Sequence, residues 1–179
     1  MDTMTKTTVD PERAHQFLDC GRIAVVGASD DAKNFGGTIL RSLSEQGVPV
    51  VAVNPHERAV SGRRCYPDVV SIPDTVDGLI VMVSGPVVLD VIRAAAARSI
   101  PRIWLFKGIG GEGAASPAAV DLCRELGIEV IPGACPLMFL DPVRGAHRLH
   151  LAFRHLNHSV APVEHGPTHR ASDDPRSSS

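Results

Sequence analysis

Short runs of branched aliphatic residues alternate along this chain with segments whose apolar positions recur every three or four residues. Ile23-Ala-Val-Val26 is apolar throughout, the pattern of a strand buried on both faces. Phe35 to Gln46 then sets Ile39, Leu40 and Leu43 on one helical face before Gly47 stops it. Pro49 to Val53 reads as a second buried strand, Gly62 to Tyr66 as a short edge strand, and Pro67 to Asp77 as a loop. Gly78 to Val83 is the clearest later strand. Ser84-Gly85-Pro86 has the form of a cap followed by proline, opening a helix that runs to about Arg98. Arg102 to Phe106 is the next strand, Ser116-Pro117 opens a helix reaching Leu126, and Ile128 to Ile131 is a final short strand.

This alternation predicts an α/β fold: a Rossmann-like, doubly wound, mostly parallel sheet of about five or six strands with flanking helices. Residues 1–21 form an N-terminal arm, with a helix over Pro11–Cys20 whose stripe is Ala14, Phe17 and Leu18. The nucleotide-binding domain spans 22–136 and a helical extension spans 137–160. In that extension Leu149, Phe153, Leu156 and Val160 recur at spacings of four, three and four, a seam suited to the sheet's flank or to a second subunit. Residues 161–179 lack core-forming periodicity and read as a disordered tail.

Composition supports the sheet, because aromatics make up only 4% of a chain rich in Ala, Val, Ile and Gly. With 20 acidic residues against 18 Lys plus Arg, no global charge points to nucleic acid or an acidic membrane surface. No apolar run approaches the length of a bilayer span, and the polar start Met1 to Thr8 lacks the apolar stretch of a secretion signal. The four cysteines are scattered without a Cys-x-x-Cys, which suits free thiols in the cytoplasm.

In an open α/β sheet the ligand crevice lies beyond the carboxyl ends of the strands. The first loop there, Gly27 to Gly37, is longer than Gly-x-Gly-x-x-Gly and has Ser29 in place of the middle glycine. Its glycines permit close backbone approach, Ser29 offers a hydroxyl, and Lys33 supplies a cation for phosphate. After the second strand a nicotinamide dinucleotide normally meets an Asp or Glu that binds the adenosine ribose. This chain has Asn54-Pro55-His56 there. That substitution argues for a nucleotide other than NAD, although Arg58, Arg63 or Arg64 offers a partner for an NADP 2′-phosphate. Val83-Ser84-Gly85-Pro86 forms a slot of small residues, and Lys107-Gly-Ile-Gly-Gly111 adds a second cation.

The remaining chemistry-bearing residues carry less. Cys135, in Gly-Ala-Cys-Pro at the end of the last strand, reads either as a thiol near the crevice or as a structural cysteine. His147, His150, His155 and His158 share one arc of the extension, yet no carboxylate or cysteine joins them at ligand spacing. Asp30 and Asp31 read as turn formers rather than an acid/base pair. No catalytic residue and no metal site is assigned.

Several ordered blocks between about Ile23 and Pro136 carry a family likeness: Ile-Ala-Val-Val-Gly-Ala-Ser at 23–29, Val-Ala-Val-Asn-Pro at 51–55 and Gly-Arg-Arg-Cys-Tyr-Pro at 62–67. Ile-Pro-Asp-Thr-Val-Asp at 72–77 and Trp-Leu at 104–105 continue it. The chain resembles the CoA-binding domain family, whose fold is shared with the N-terminal part of succinyl-CoA synthetase alpha subunits, in the manner of its small free-standing members. The resemblance implies a coenzyme A pocket built from Gly27, Ala28, Ser29, Lys33, Gly36, Asn54, Pro55, Val83, Ser84 and Pro86. It further implies the pyrophosphate at the first loop and its helix, the adenine between the second and fourth strand ends, and Arg58 or Arg63 against the ribose 3′-phosphate.

The loop at 107–113 departs from the Gln-rich version of the small members, and a chain of 179 residues is expected to carry neither a ligase-type domain nor an ATP-grasp module. The expectation is therefore a cytoplasmic CoA-binding or acyl-CoA-binding protein of regulatory or carrier role, with a small nucleotide as its partner. An NAD(P)-dependent redox protein, or a dimeric interaction module joined through the 149–160 helix, are the alternatives.

Overall fold

The computed structural model describes residues 9–107 and 113–140. The elements are α1 (Pro11–Leu18), β1 (Ile23–Val26), α2 (Phe35–Glu45), β2 (Val50–Val53), β3 (Ala59–Val60), β4 (Arg63–Tyr66), β5 (Gly78–Val81), α3 (Val87–Ala97), β6 (Arg102–Leu105), α4 (Pro117–Glu125) and β7 (Glu129–Pro132), followed by a 3-10 turn at Pro136–Phe139. The sheet has seven strands in the order β3-β4-β2-β1-β5-β6-β7, one or two more than the sequence pattern suggests. Every pairing is parallel except β3 with β4. The helical seam at 149–160, its histidines, the tail and the glycines at 108–111 lie outside the described residues.

Alternation along the central strands builds two cores. Ala24 and Val26 face α3 and α4, where Val88, Ile92, Ala95, Ala119 and Cys123 are buried against them. Ile23 and Val25 face the other way, onto Ala14, Phe17 and Leu18 of α1 and Ile39, Leu40 and Leu43 of α2. The sheet is covered on both faces, which is why β1 and β5 are buried at all four positions. Trp104, fully buried on the α1/α2 side, donates its indole N–H to the Gly133 carbonyl at 2.9 Å.

Two sequence expectations shift. Gly62–Tyr66 is not the edge: β4 pairs with β2 on one side, and the two-residue β3 folds back onto it on the other. The hairpin turns at Ser61 and Gly62, with φ of 51° and 72°, the left-handed geometry that joins antiparallel strands in a two-residue loop. Ser61 tolerates that conformation because its backbone N–H donates to Asp30 at 2.8 Å and its hydroxyl to the same carboxylate at 3.0 Å. Ser116 caps α4 as expected, accepting the Ala119 N–H at 3.2 Å. Ser84 does not cap α3. Gly85 turns the chain with φ of 76°, Pro86 becomes the flanking residue, and that helix start has no side-chain cap.

The connection from β4 to β5 has little regular structure and is held by Arg98, at the C-terminus of α3. Its guanidinium donates to the carbonyls of Val70 and Asp74 at 2.9 Å each, and also to those of Val69 and Ile72. A cation at a helix C-terminus is itself favourable, and the planar fork serves four acceptors at once. Replacing Arg98 with Ala should lower unfolding free energy by about 2–3 kcal/mol in urea titrations, and Lys should recover only part of it.

Candidate functional site

Val26, Val53 and Val81 are level with one another across the sheet, so β1, β2 and β5 end together. The chain leaves β1 toward α2 on one face and leaves β5 toward α3 on the other. At this divergence a cleft of about 720 Å³ opens, in the position where open α/β sheets bind ligands. Its floor is Val26, Gly27, Val53 and Met82. One wall is Asn54, Pro55 and His56 with Pro67, Asp68 and Val69; the other is Val83, Ser84 and the α3 face Val87, Asp90, Val91 and Ala94. Asn34 closes the end beside α2.

Asn54 sets the geometry of this wall. Its side-chain N–H donates to the Ala28 carbonyl at 2.8 Å, and its side-chain oxygen accepts the His56 backbone N–H at 3.0 Å. One amide thereby ties the loop after β1 to the turn after β2. Ser29 adds a second tie, donating its hydroxyl to Glu57 at 2.9 Å while accepting the Asp31 N–H at 3.2 Å. Asp31 accepts the Lys33 N–H at 2.9 Å and Asn34 caps α2 by accepting the Gly36 N–H at 2.7 Å, so both serve the turn.

The glycines here are required by contact. Gly27 has φ of 86°, and a Cβ on it would stand 2.9 Å from Val83. A Cβ on Gly37 would stand 2.0 Å from the Ser29 carbonyl oxygen, so α2 packs directly beneath the loop only because none is there.

Of the ten residues that the family resemblance implies, Gly27, Asn54, Pro55, Val83 and Ser84 line the cleft together. Ala28 is buried in the α1/α2 core, Ser29 is buried and turned to Glu57, and Gly36 is buried at the start of α2. Lys33 and Pro86 are exposed and outside the lining. Arg63 stands in register with the start of β2, at the opposite end of the sheet, where it bonds to Ser44. Cys135 packs against the core that contains Trp104 rather than lining the cleft.

Among the lining residues that sequence reasoning passed over, Val87, Asp90, Val91 and Ala94 come from α3. Their signal is present: Val87-Val-Leu-Asp-Val-Ile-Arg-Ala carries two apolar stripes, and a helix covering one core uses one. Val88, Ile92 and Ala95 fill the core, while Val87, Val91 and Ala94 face the cleft.

Burial raises the thiols of Cys20 and Cys65 above their ordinary range and pushes Cys123 up to about 11. These three are held protonated near neutral pH and are poor nucleophiles. Among the described residues, no cluster of His, Cys, Asp and Glu is arranged to hold a metal ion.

The model of the CoA binding domain matches residues 21–141. The chain belongs to the CoA binding domain family. The domain is 30% identical over 118 residues to acetate–CoA ligase (ADP-forming) I of Archaeoglobus fulgidus, covering 63% of this chain and 17% of that enzyme. It is likewise 30% identical over 125 residues to the alpha subunit of acetate–CoA ligase (ADP-forming) II of Pyrococcus furiosus, covering 66% and 27%. The match thus spans less than a third of either ligase's length. In fold, a hypothetical protein from Pyrococcus horikoshii superposes with a TM-score of 0.66 at 24% identity, over 84% of this chain and 99% of that one. Among the described residues, no helix is long and apolar enough to cross a membrane.

Two outcomes test the tie at Asn54 and the burial of Cys123 in the core. Asn54→Asp replaces the donor to Ala28 with a carboxylate oxygen facing a carbonyl. It should destabilise the domain by about 1–3 kcal/mol at neutral pH, with the deficit shrinking as pH falls toward about 4, because a carboxyl disfavoured as the anion takes up its proton in the fold before it does so unfolded and so regains a donor; urea titrations at pH 7 and at about pH 4 measure it. Cys123 should resist iodoacetamide in the native domain and react once unfolded. Because its folded value is raised, its contribution to stability is complete below the ordinary thiol range and is lost as pH rises toward about 11.

Proposed function

We propose that this domain binds coenzyme A or an acyl-CoA in the cleft at the ends of β1, β2 and β5, and serves a regulatory or carrier role in the cytoplasm rather than a catalytic one. The observation that carries this reading is the cleft itself: a slot at the sheet's divergence point, mostly apolar, with a few polar groups at its rim. Pro55, Pro67, Val69 and Val91 offer flat and branched apolar surface to an adenine ring. Gly27 and Ser84 leave room for a narrow chain such as pantetheine. The start of α3 has no side-chain cap; Val88 and Leu89 donate their N–H groups to the Gly85 and Pro86 carbonyls at 3.2 and 3.1 Å, which leaves the Val87 N–H for a ligand oxygen.

Membership of the CoA binding domain family supports the choice of ligand class, and the two ligases named above carry their matching segments within enzymes that act on CoA. The ten residues that the family resemblance implies divide, on this reading, into three groups. Gly27, Asn54, Pro55, Val83 and Ser84 face the ligand, while Ala28, Ser29 and Gly36 hold the loop in place and Lys33 and Pro86 stand outside the rim.

Calorimetric titration of the purified protein with CoA, NADH and NADPH tests the reading. CoA should bind with a single site and the nicotinamides weakly or not at all; preference for a nicotinamide overturns it. Val91→Trp should fill the slot and weaken CoA binding by about tenfold or more, with little change in melting temperature.

A further inference from the structure

We propose that His56 is the side chain through which this cleft recognises a ligand phosphate, and that the protonation of its imidazole sets the affinity. The inference rests on the CoA reading of the same cleft. Among the described residues lining it none is Lys or Arg, and the charged ones are Asp68 and Asp90. Coenzyme A brings a pyrophosphate and a phosphate monoester, about three to four negative charges near neutral pH, toward that surface. The positive end of the α3 dipole offsets part of the repulsion, although Val88 and Leu89 spend their N–H groups on the Gly85 and Pro86 carbonyls, and the two carboxylates add to it.

One lining side chain can become a cation, and that is His56. It is exposed at the rim, immediately after Asn54 and Pro55. Its backbone N–H is held by the Asn54 side chain at 3.0 Å, so the root of the imidazole is fixed in place. The ring itself has no hydrogen-bond or ion-pair partner among the described residues.

The charged groups around it are otherwise engaged or point to solvent. Asp68, from the segment after β4, accepts the Ser71 N–H at 2.7 Å, and Asp90, from α3, pairs with Arg93 at 3.0 Å. On the loop of His56 itself, Glu57 accepts the Ser29 hydroxyl and Arg58 is exposed; Lys33, on the loop after β1, is exposed as well.

Protonating His56 changes the formal side-chain charge of the lining from −2 (Asp68 and Asp90) to −1 and gives a phosphate oxygen a charged N–H donor. Binding and proton uptake are then linked: a bound phosphate favours the imidazolium, and the imidazolium favours the phosphate. The ligand's own monoester phosphate loses charge as pH falls, which works in the opposite direction and is common to every variant.

The test is calorimetry of the full chain with CoA between about pH 5.5 and 8, in two buffers of different ionisation enthalpy, for the unaltered protein, His56→Gln and His56→Lys. The unaltered protein should bind about fivefold more tightly at the acid end and take up a fraction of a proton near neutrality. His56→Gln should lose both features. His56→Lys should keep the tight affinity at the alkaline end and lose the proton uptake. If His56→Gln keeps the same pH profile and the same proton uptake, the role of His56 is overturned while the CoA reading stands. If no form binds CoA at any pH, the CoA reading itself fails, and this inference with it.

Discussion

The cleft depends on one amide. Asn54 donates to the Ala28 carbonyl and accepts from the His56 backbone, so a single planar group holds the ends of β1 and β2 in fixed relation. Both partners are backbone atoms of opposite polarity, and only a side chain with a donor and an acceptor side by side satisfies them. A carboxylate has no donor for the carbonyl. The residue that distinguishes this chain from a nicotinamide-binding pattern therefore has a local physical cause within the fold, independent of any ligand. Ser29 with Glu57, and Asp30 with Ser61, extend the same tie outward along the loop.

The opposite wall depends on α3, and α3 does three jobs with three sets of residues. Val88, Ile92 and Ala95 anchor it in the core, and Val87, Val91 and Ala94 face the cleft. Arg98, at its end, gathers the carbonyls of the β4–β5 connection. That connection supplies Pro67, Asp68 and Val69 to the cleft's other wall. The two walls are thus coupled through one helix and one guanidinium. The lining that results is apolar in the middle, and among the described residues it holds no Lys or Arg.

The first loop illustrates how a binding motif can hold a loop instead of touching a ligand. Its glycines are needed because Val83, Gly27 and Ser29 lie too close for any Cβ at positions 27, 36 and 37. Ser29 has the right chemistry for a phosphate and the wrong orientation, since its hydroxyl is spent on Glu57 and the residue is buried. A pattern of glycines and small polar residues reports close packing and phosphate binding alike.

By itself the sequence determined the alternation of strands and helices, the two-faced burial of β1 and β5, the capping of α4 by Ser116 and the family to which the chain belongs. These are local matters: periodicity, caps and contiguous motifs act over a few residues, and nothing in the fold opposes them here. It also marked where the cleft opens, through Gly27, Asn54, Pro55, Val83 and Ser84. Tertiary structure alone decided the rest. The edge hairpin at 59–66 depends on Asp30 reaching Ser61 across 31 positions, and the cleft wall on α3 depends on which of two apolar stripes the core takes. Arg63 and Cys135 were placed away from the cleft by strand register and by core packing, and His56 was brought to its rim by the Asn54 turn. Such outcomes follow from contacts between distant segments, which no local pattern encodes.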